Sequence, residues 1–166
     1  MSVFLALAMI SSPFPAEDGA AGAVSANSVE KPDVIEFGQS VADAAEALKP
    51  FCDNQEIREF TPPRIPIAET SHSQIDCRGF WFMGEQRLAE FVFADDGLVM
   101  VWVLVDADDQ DRILTEMRQQ YDSDGIDVDV AIAFPEDGTA WRFEPPEVLY
   151  YSEKAAPLFG SRLSPP

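Results

Sequence analysis

Lysine is almost missing from this chain. Lys31, Lys49 and Lys154 are the whole supply, and Lys and Arg together number 11 against 30 Asp and Glu. The resulting charge of −19 sets nucleic acid and anionic lipid aside as partners, because binding either depends on Lys and Arg neutralising phosphates. Histidine is down to His72 and cysteine to Cys52 and Cys77, too few ligands for a four-coordinate structural zinc site. A glycine-rich phosphate loop, a zinc-binding helix motif and the basic–aromatic pattern of nucleic-acid readers are all lacking. No apolar run approaches the roughly 18 residues that signal a membrane-spanning helix. No cofactor and no catalytic residue is therefore expected. What the composition leaves open is a basic protein partner or a cation, the plainer reading of the charge being a solubility or salt-adaptation trait with no partner at all.

The apolar fraction of 46% is ordinary for a folded protein, and 166 residues suffice for one core. Met1–Ile10 (MSVFLALAMI) carries an apolar run from Val3 that fits the central region of a signal peptide. Small residues follow, with Ala21-Gly22-Ala23 or Val24-Ser25-Ala26 as cleavage sites. The run lacks a preceding Lys or Arg, and no cysteine stands near it to accept a lipid. Residues 1–33 read as a signal peptide or flexible leader, 34–156 as one domain, and 157–166 as a frayed tail. An even cysteine count in an exported chain points to a Cys52–Cys77 disulfide, the alternative being two buried thiols in a cytosolic protein. The localisation that follows is periplasmic or secreted.

The densest β-forming sequence lies between Ser73 and Asp106. Leu98–Val105 (LVMVWVLV) is an unbroken apolar run of strand length, and Asp95-Asp96-Gly97 before it is a hairpin signal. Arg87–Ala94 is its expected partner, with Ala89, Phe91 and Phe93 sharing one face. Gln74–Phe82 precedes through a turn near Met83-Gly84-Glu85. A run that is apolar on both faces belongs in the middle of a sheet with something covering each side.

Ser40 is placed to cap a helix carrying Val41, Ala44, Ala45 and Leu48 on one stripe and ended by Pro50. Residues 51–73, with Thr61-Pro62-Pro63-Arg64-Ile65-Pro66, read as a long extended connection. A second helix is expected over Asp108–Tyr121, capped by Asp108. Ile126–Ile132 alternates as a half-buried strand, Thr139–Glu144 returns after Asp137-Gly138, and Val148–Tyr151 forms a short edge strand. The fold class expected is α+β: an antiparallel sheet of about five to six strands with two helices on one face. The order is helix–three strands–helix–two or three strands.

The stretch Phe37-Gly38-Gln39-Ser40-Val41 through Leu48-Lys49-Pro50 resembles the Gly-x-Ser/Thr-x₇-Leu-x-Pro helix start of small exported α/β modules. These include the β-lactamase-inhibitor-protein fold and outer-membrane assembly lipoproteins of the SmpA/OmlA type. In the inhibitor family such a helix is followed by a cysteine bonded into the adjoining sheet, which implies the same of Cys52 and Cys77. The resemblance covers about 15 positions and implies a helix-on-sheet fold used for protein contact. It departs in lacking a lipid-bearing cysteine and a second cysteine pair, and it carries over no functional residue.

Chemistry-bearing clusters are few. Asp122, Asp124, Asp127 and Asp129 surround Gly125 as an oxygen-rich loop would around Ca²⁺, but the glycine falls fourth rather than sixth and position twelve is Ala133. A solvated turn is the simpler reading, with a calcium-binding or hydrolytic protein as the alternative. Asp106, Asp108, Asp109 and Asp111 decorate a helix start. Glu90 lies mid-strand, but paired-carboxylate catalysis needs a second acid that nothing in the sequence nominates. His72, between Ser71 and Ser73, is expected at the surface. Aromatic residues near strand ends (Phe80, Trp81, Phe82, Trp141, Tyr150 and Tyr151) are the interface candidates. The function expected is a non-catalytic protein-interaction module of the cell envelope; an acidic mimic of nucleic acid is disfavoured by the export signal.

Overall fold

The computed structural model describes residues 28–159. The expected cleavage sites and the end of the tail lie outside that range. In chain order come α1 (Val41–Ala47), β1 (Asn54–Glu59), β2 (His72–Phe82), β3 (Glu85–Ala94), β4 (Gly97–Leu104), α2 (Gln110–Gln120), β5 (Ile126–Asp127), β6 (Ala131–Phe134), β7 (Thr139–Arg142) and β8 (Glu147–Tyr151). All eight strands join one antiparallel sheet in the order β1-β2-β3-β4-β8-β7-β6-β5. The fold is α+β, with more strands than expected. Each half is a helix followed by a four-stranded meander, and the halves meet where β4 pairs with β8.

The apolar run from Leu98 sits between β3 and β8, covered on the first face and, on the second, over Val99 and Met100 but only partly at Trp102 and Leu104. On the first face, Ala44 and Leu48 at α1 and Ile113, Leu114 and Met117 of α2 pack over Ile75, Phe91, Phe93, Val101, Val103, Trp141, Val148 and Tyr150. Ser40 caps α1, its Oγ accepting from the Asp43 amide at 3.1 Å. On the second face, Ile65, Ile67 and Ala68 of the proline-rich connection and Ala155, Ala156, Leu158 and Phe159 pack over Val92, Ala94, Met100, Leu149 and Tyr151. The tail expected to fray from Pro157 is thus packed as far as Phe159. Packing also starts earlier than Val34: Val29 is buried, and its carbonyl accepts from the Tyr121 and Tyr150 hydroxyls, each at 2.8 Å.

Four local expectations are corrected. The stretch read as a connection contains β1. The strand expected over Ile126–Ile132 is a hairpin, because Asp129 takes a left-handed φ of 70° and splits β5 from β6. Val148–Tyr151 belongs to an interior strand, β8, between β4 and β7. The second helix is led by a 3₁₀ turn, Ala107–Asp109, and Asp108 does not cap it. In the β3–β4 turn the left-handed residues are Asp95 and Asp96, at φ 53° and 65°, rather than Gly97. Asp95 is held there because its carboxylate accepts from the amides of Thr70, Glu69 and Ser71 at 2.7, 2.9 and 3.2 Å. Those bonds keep its carboxyl well below the usual range and pin the proline-rich connection to the turn.

Candidate functional site

Residues opposite one another in an antiparallel ladder share a face, so the register reads the second face rung by rung. One rung runs Arg58, Gln74, Val92, Met100, Tyr151, and its central members lie under the connection and the packed tail. The next runs Glu56, Asp76, Glu90, Trp102, Leu149. Beyond it stand Asn54, Arg78 and Leu88, then Leu104, Glu147 and Arg142. These outer rungs are only partly covered. Leu88, Glu90, Trp102, Leu104 and Arg142 are half-buried, and Arg78 is exposed.

Trp81 joins this open half through a β-bulge. The register shifts between Arg78 and Phe80 at Gly79, whose φ is 82°. A Cβ there would lie 2.4 Å from the Asp53 carboxylate, so glycine is required for the close approach as well as the dihedral. The shift turns Phe80 and Phe82 into the core and Trp81 outward, 51% exposed.

Three carboxylates stand side by side on the middle rung, and like charges directly opposite repel. The repulsion is offset by Arg58, whose guanidinium lies 2.7 Å from Asp76 and 3.6 Å from Glu90, and by Gln74, which donates to Asp76 at 2.7 Å. Burial, then the Asp76 charge, push the Glu90 carboxyl upward against the pull of Arg58. Glu147 on β8 meets the Arg142 guanidinium, which in turn lies 4.4 Å over the Trp102 ring. Burial dominates there too, and pushes Glu147 up to about 7 against Arg142. Glu90 has Asp76 directly opposite it, and Glu147 lies near enough to feel the Glu90 charge; the sequence nominated neither acid. Both are engaged by guanidinium groups, and the Glu147 side chain is only 5% exposed.

The expected interface aromatics separate sharply. Phe80, Phe82, Trp141, Tyr150 and Tyr151 are buried, and Trp81 alone of the six is exposed. Alternation explains it: past the bulge Phe80 and Phe82 turn into the first core, and on β7 and β8 Trp141 and Tyr150 enter the first core and Tyr151 the second. Trp102 was missed because it stood inside an apolar run; its cross-strand partner Glu90 and the nearby Arg142 mark it as a face residue. The 122–129 loop does not gather its carboxylates. Asp127 instead accepts from the Asp129 amide at 3.0 Å, and the Ser123 hydroxyl accepts from Gly125 at 3.1 Å. His72 is buried rather than exposed: Phe60 lies against it at 4.4 Å, and Nδ1 accepts from the Arg64 amide at 3.1 Å. Burial and then Arg64 lower its pKa.

Among the described residues, Glu85, Asp106 and Asp109 bring carboxylate oxygens within 4.8 Å of one another. Arg87 already occupies the centre, 3.0 Å from Glu85 and 2.6 Å from Asp106, and it also contacts Asp109. Asp109 is further bound by Arg112, so these acids do more than decorate a helix start. Arg87→Gln is expected to cost about 2 kcal/mol, below the range for fully buried pairs because Glu85 and Asp106 are exposed. Millimolar Ca²⁺ should recover part of that loss in the variant and leave the wild type unmoved, as read by melting temperature. Equal Ca²⁺ responses in both would refute the role given to Arg87.

No family model, curated protein or solved structure matches this chain.

Proposed function

We propose that this chain is an exported, non-catalytic protein-interaction module whose working surface is the open half of the second sheet face. The observation that carries the reading is composition at that place. Trp81, Leu88, Trp102 and Leu104 stand among Arg58, Arg78 and Arg142 on a rigid sheet, and Trp and Arg are the residues that dominate interface energetics. The ion pairs that hold Glu90 and Glu147 suit recognition better than turnover, because a general acid must reach its substrate. The Cys52–Cys77 disulfide supports a compartment outside the cytoplasm, periplasmic or secreted. No helix among the described residues is long and apolar enough to cross a membrane. A charge of −19 steers a partner that is basic around an apolar centre, and makes association faster at low salt.

Photo-crosslinking tests this directly. A benzophenone side chain at Trp81 or Leu88 is expected to trap a discrete partner in periplasmic extract, and one at Glu116 on α2 is not. Trp81→Ala, which removes an exposed ring, should weaken capture at least ~10-fold. Equal trapping at all three positions, or undiminished capture by Trp81→Ala, would sink the assignment.

A further inference from the structure

We infer that two copies of this chain pair through β1, antiparallel, with Ile57 of one copy opposite Ile57 of the other. Among the described residues β1 is hydrogen-bonded on one side only. Its phase is fixed by the Phe60 amide, which donates to the His72 carbonyl at 2.9 Å in line with the β1–β2 register. Hydrogen-bonded and open pairs alternate along an antiparallel ladder. Asn54, Glu56 and Arg58 therefore direct their backbone groups toward β2, and Gln55, Ile57 and Glu59 direct theirs outward. Ile57 is 51% exposed although Ile75 opposite it is fully buried.

Charge selects both the occupant and the register. With Ile57 on the two-fold axis, Gln55 meets Glu59, and Glu56 meets Arg58 on either side. The outward-turned residues 55, 57 and 59 then become the pairs that exchange both hydrogen bonds. Glu56 and Arg58 fall in the open pairs, where side chains lie closest. Sliding the partner by two residues one way sets Glu56 against Glu56, and the other way sets Arg58 against Arg58. Only the central register places opposite charges across the seam, and a two-fold axis satisfies it twice. Arg58 is 39% exposed beyond its bonds to Asp76 and Glu90, which leaves room for a second carboxylate. The charge of −19 per copy repels at long range, so the dimer is expected to tighten as salt screens it. The pairing stands apart from the reading of the open face, which it would extend into one surface across both copies.

The experiment is sedimentation equilibrium of the disulfide-bonded wild type and its variants, with melting curves to confirm folding. Wild type is expected to show a monomer–dimer equilibrium. Glu56→Arg, Arg58→Glu and Ile57→Asp should each weaken self-association at least ten-fold. An equimolar mixture of Glu56→Arg and Arg58→Glu restores opposite charges across the seam and should dimerise. Wild type that stays monomeric at every concentration and salt overturns the inference, and so do dimers that survive Glu56→Arg and Ile57→Asp. A folded mixture that stays monomeric overturns it too. Should Arg58→Glu fail to fold without its bond to Asp76, the Glu56→Arg and Ile57→Asp results decide.

Discussion

Replacing Cys52 and Cys77 together by alanine is expected to destabilise the protein by about 3–4 kcal/mol and to lower its melting temperature by ~10 °C. The two cysteines are 25 residues apart, and closing a loop of that size removes chain entropy from the unfolded state in proportion to the logarithm of its length. That loop contains β1 and the proline-rich connection, the parts of the fold with the least core of their own. α1 has seven residues and buries little besides Ala44, too short to persist without tertiary support. Cys77 is fully buried in β2, so the bond fastens the chain just after α1 to the packed centre of the sheet. Amide exchange should therefore rise first in α1 and β1 of the variant. Wild type treated with reductant should fall to the variant's melting temperature, and the variant should ignore reductant. A wild type whose melting is unchanged once both thiols are shown to be free would refute this account.

The parts of the fold legible in the sequence were those whose local pattern matches their final surroundings. Leu98–Val105 reads as an interior strand because it is apolar on both faces; the first face is covered throughout, and the second over Val99 and Met100 but only partly at Trp102 and Leu104. β1 (NQEIRE) was illegible for the converse reason. A strand with one flank unpaired within its own chain and little burial on either face needs no alternation, because its side chains close no core. The alternation from Ile126 to Ile132 runs straight through the turn at Asp129, so pattern alone merges β5 with β6. Strand order is not local either. Nothing in Glu147–Tyr151 says that it lies beside β4 rather than at a rim, because that follows from the two meanders meeting. The open face shares this limit. Glu90 could be noticed by itself, but Arg58, Trp102, Arg142 and Glu147 come to it from four other strands through register.

Glu147→Gln is expected to stabilise the protein at pH 8 and to flatten its pH dependence between pH 4.5 and 7. The folded carboxyl is pushed up to about 7 from an ordinary 4.5, by burial first, against the pull of Arg142 and with added repulsion from Glu90. Between those values the folded chain keeps a proton that the unfolded chain has released, so this group's contribution falls as pH rises through the window and is flat on either side. The loss accumulated by pH 8 is on the order of 3 kcal/mol. Glutamine keeps the shape and a carbonyl for Arg142 but has nothing to ionise. Three other groups act in the opposite sense, one of them Asp109, lowered by its bonds to Arg112 and Arg87. His72, lowered by burial, loses stability as pH falls below the range of a free histidine. Asp95, lowered by its amide bonds, does so in stronger acid. The difference between wild type and Glu147→Gln in urea midpoints, taken from pH 4.5 to 8, cancels these three and leaves the β8 carboxyl together with its coupling to Glu90. Parallel profiles for the two proteins would mean that Glu147 ionises normally, and that Arg142 stays bound to it across the whole range. A difference that opens with rising pH would mean that below neutrality Arg142 loses a charged partner while still stacked on Trp102.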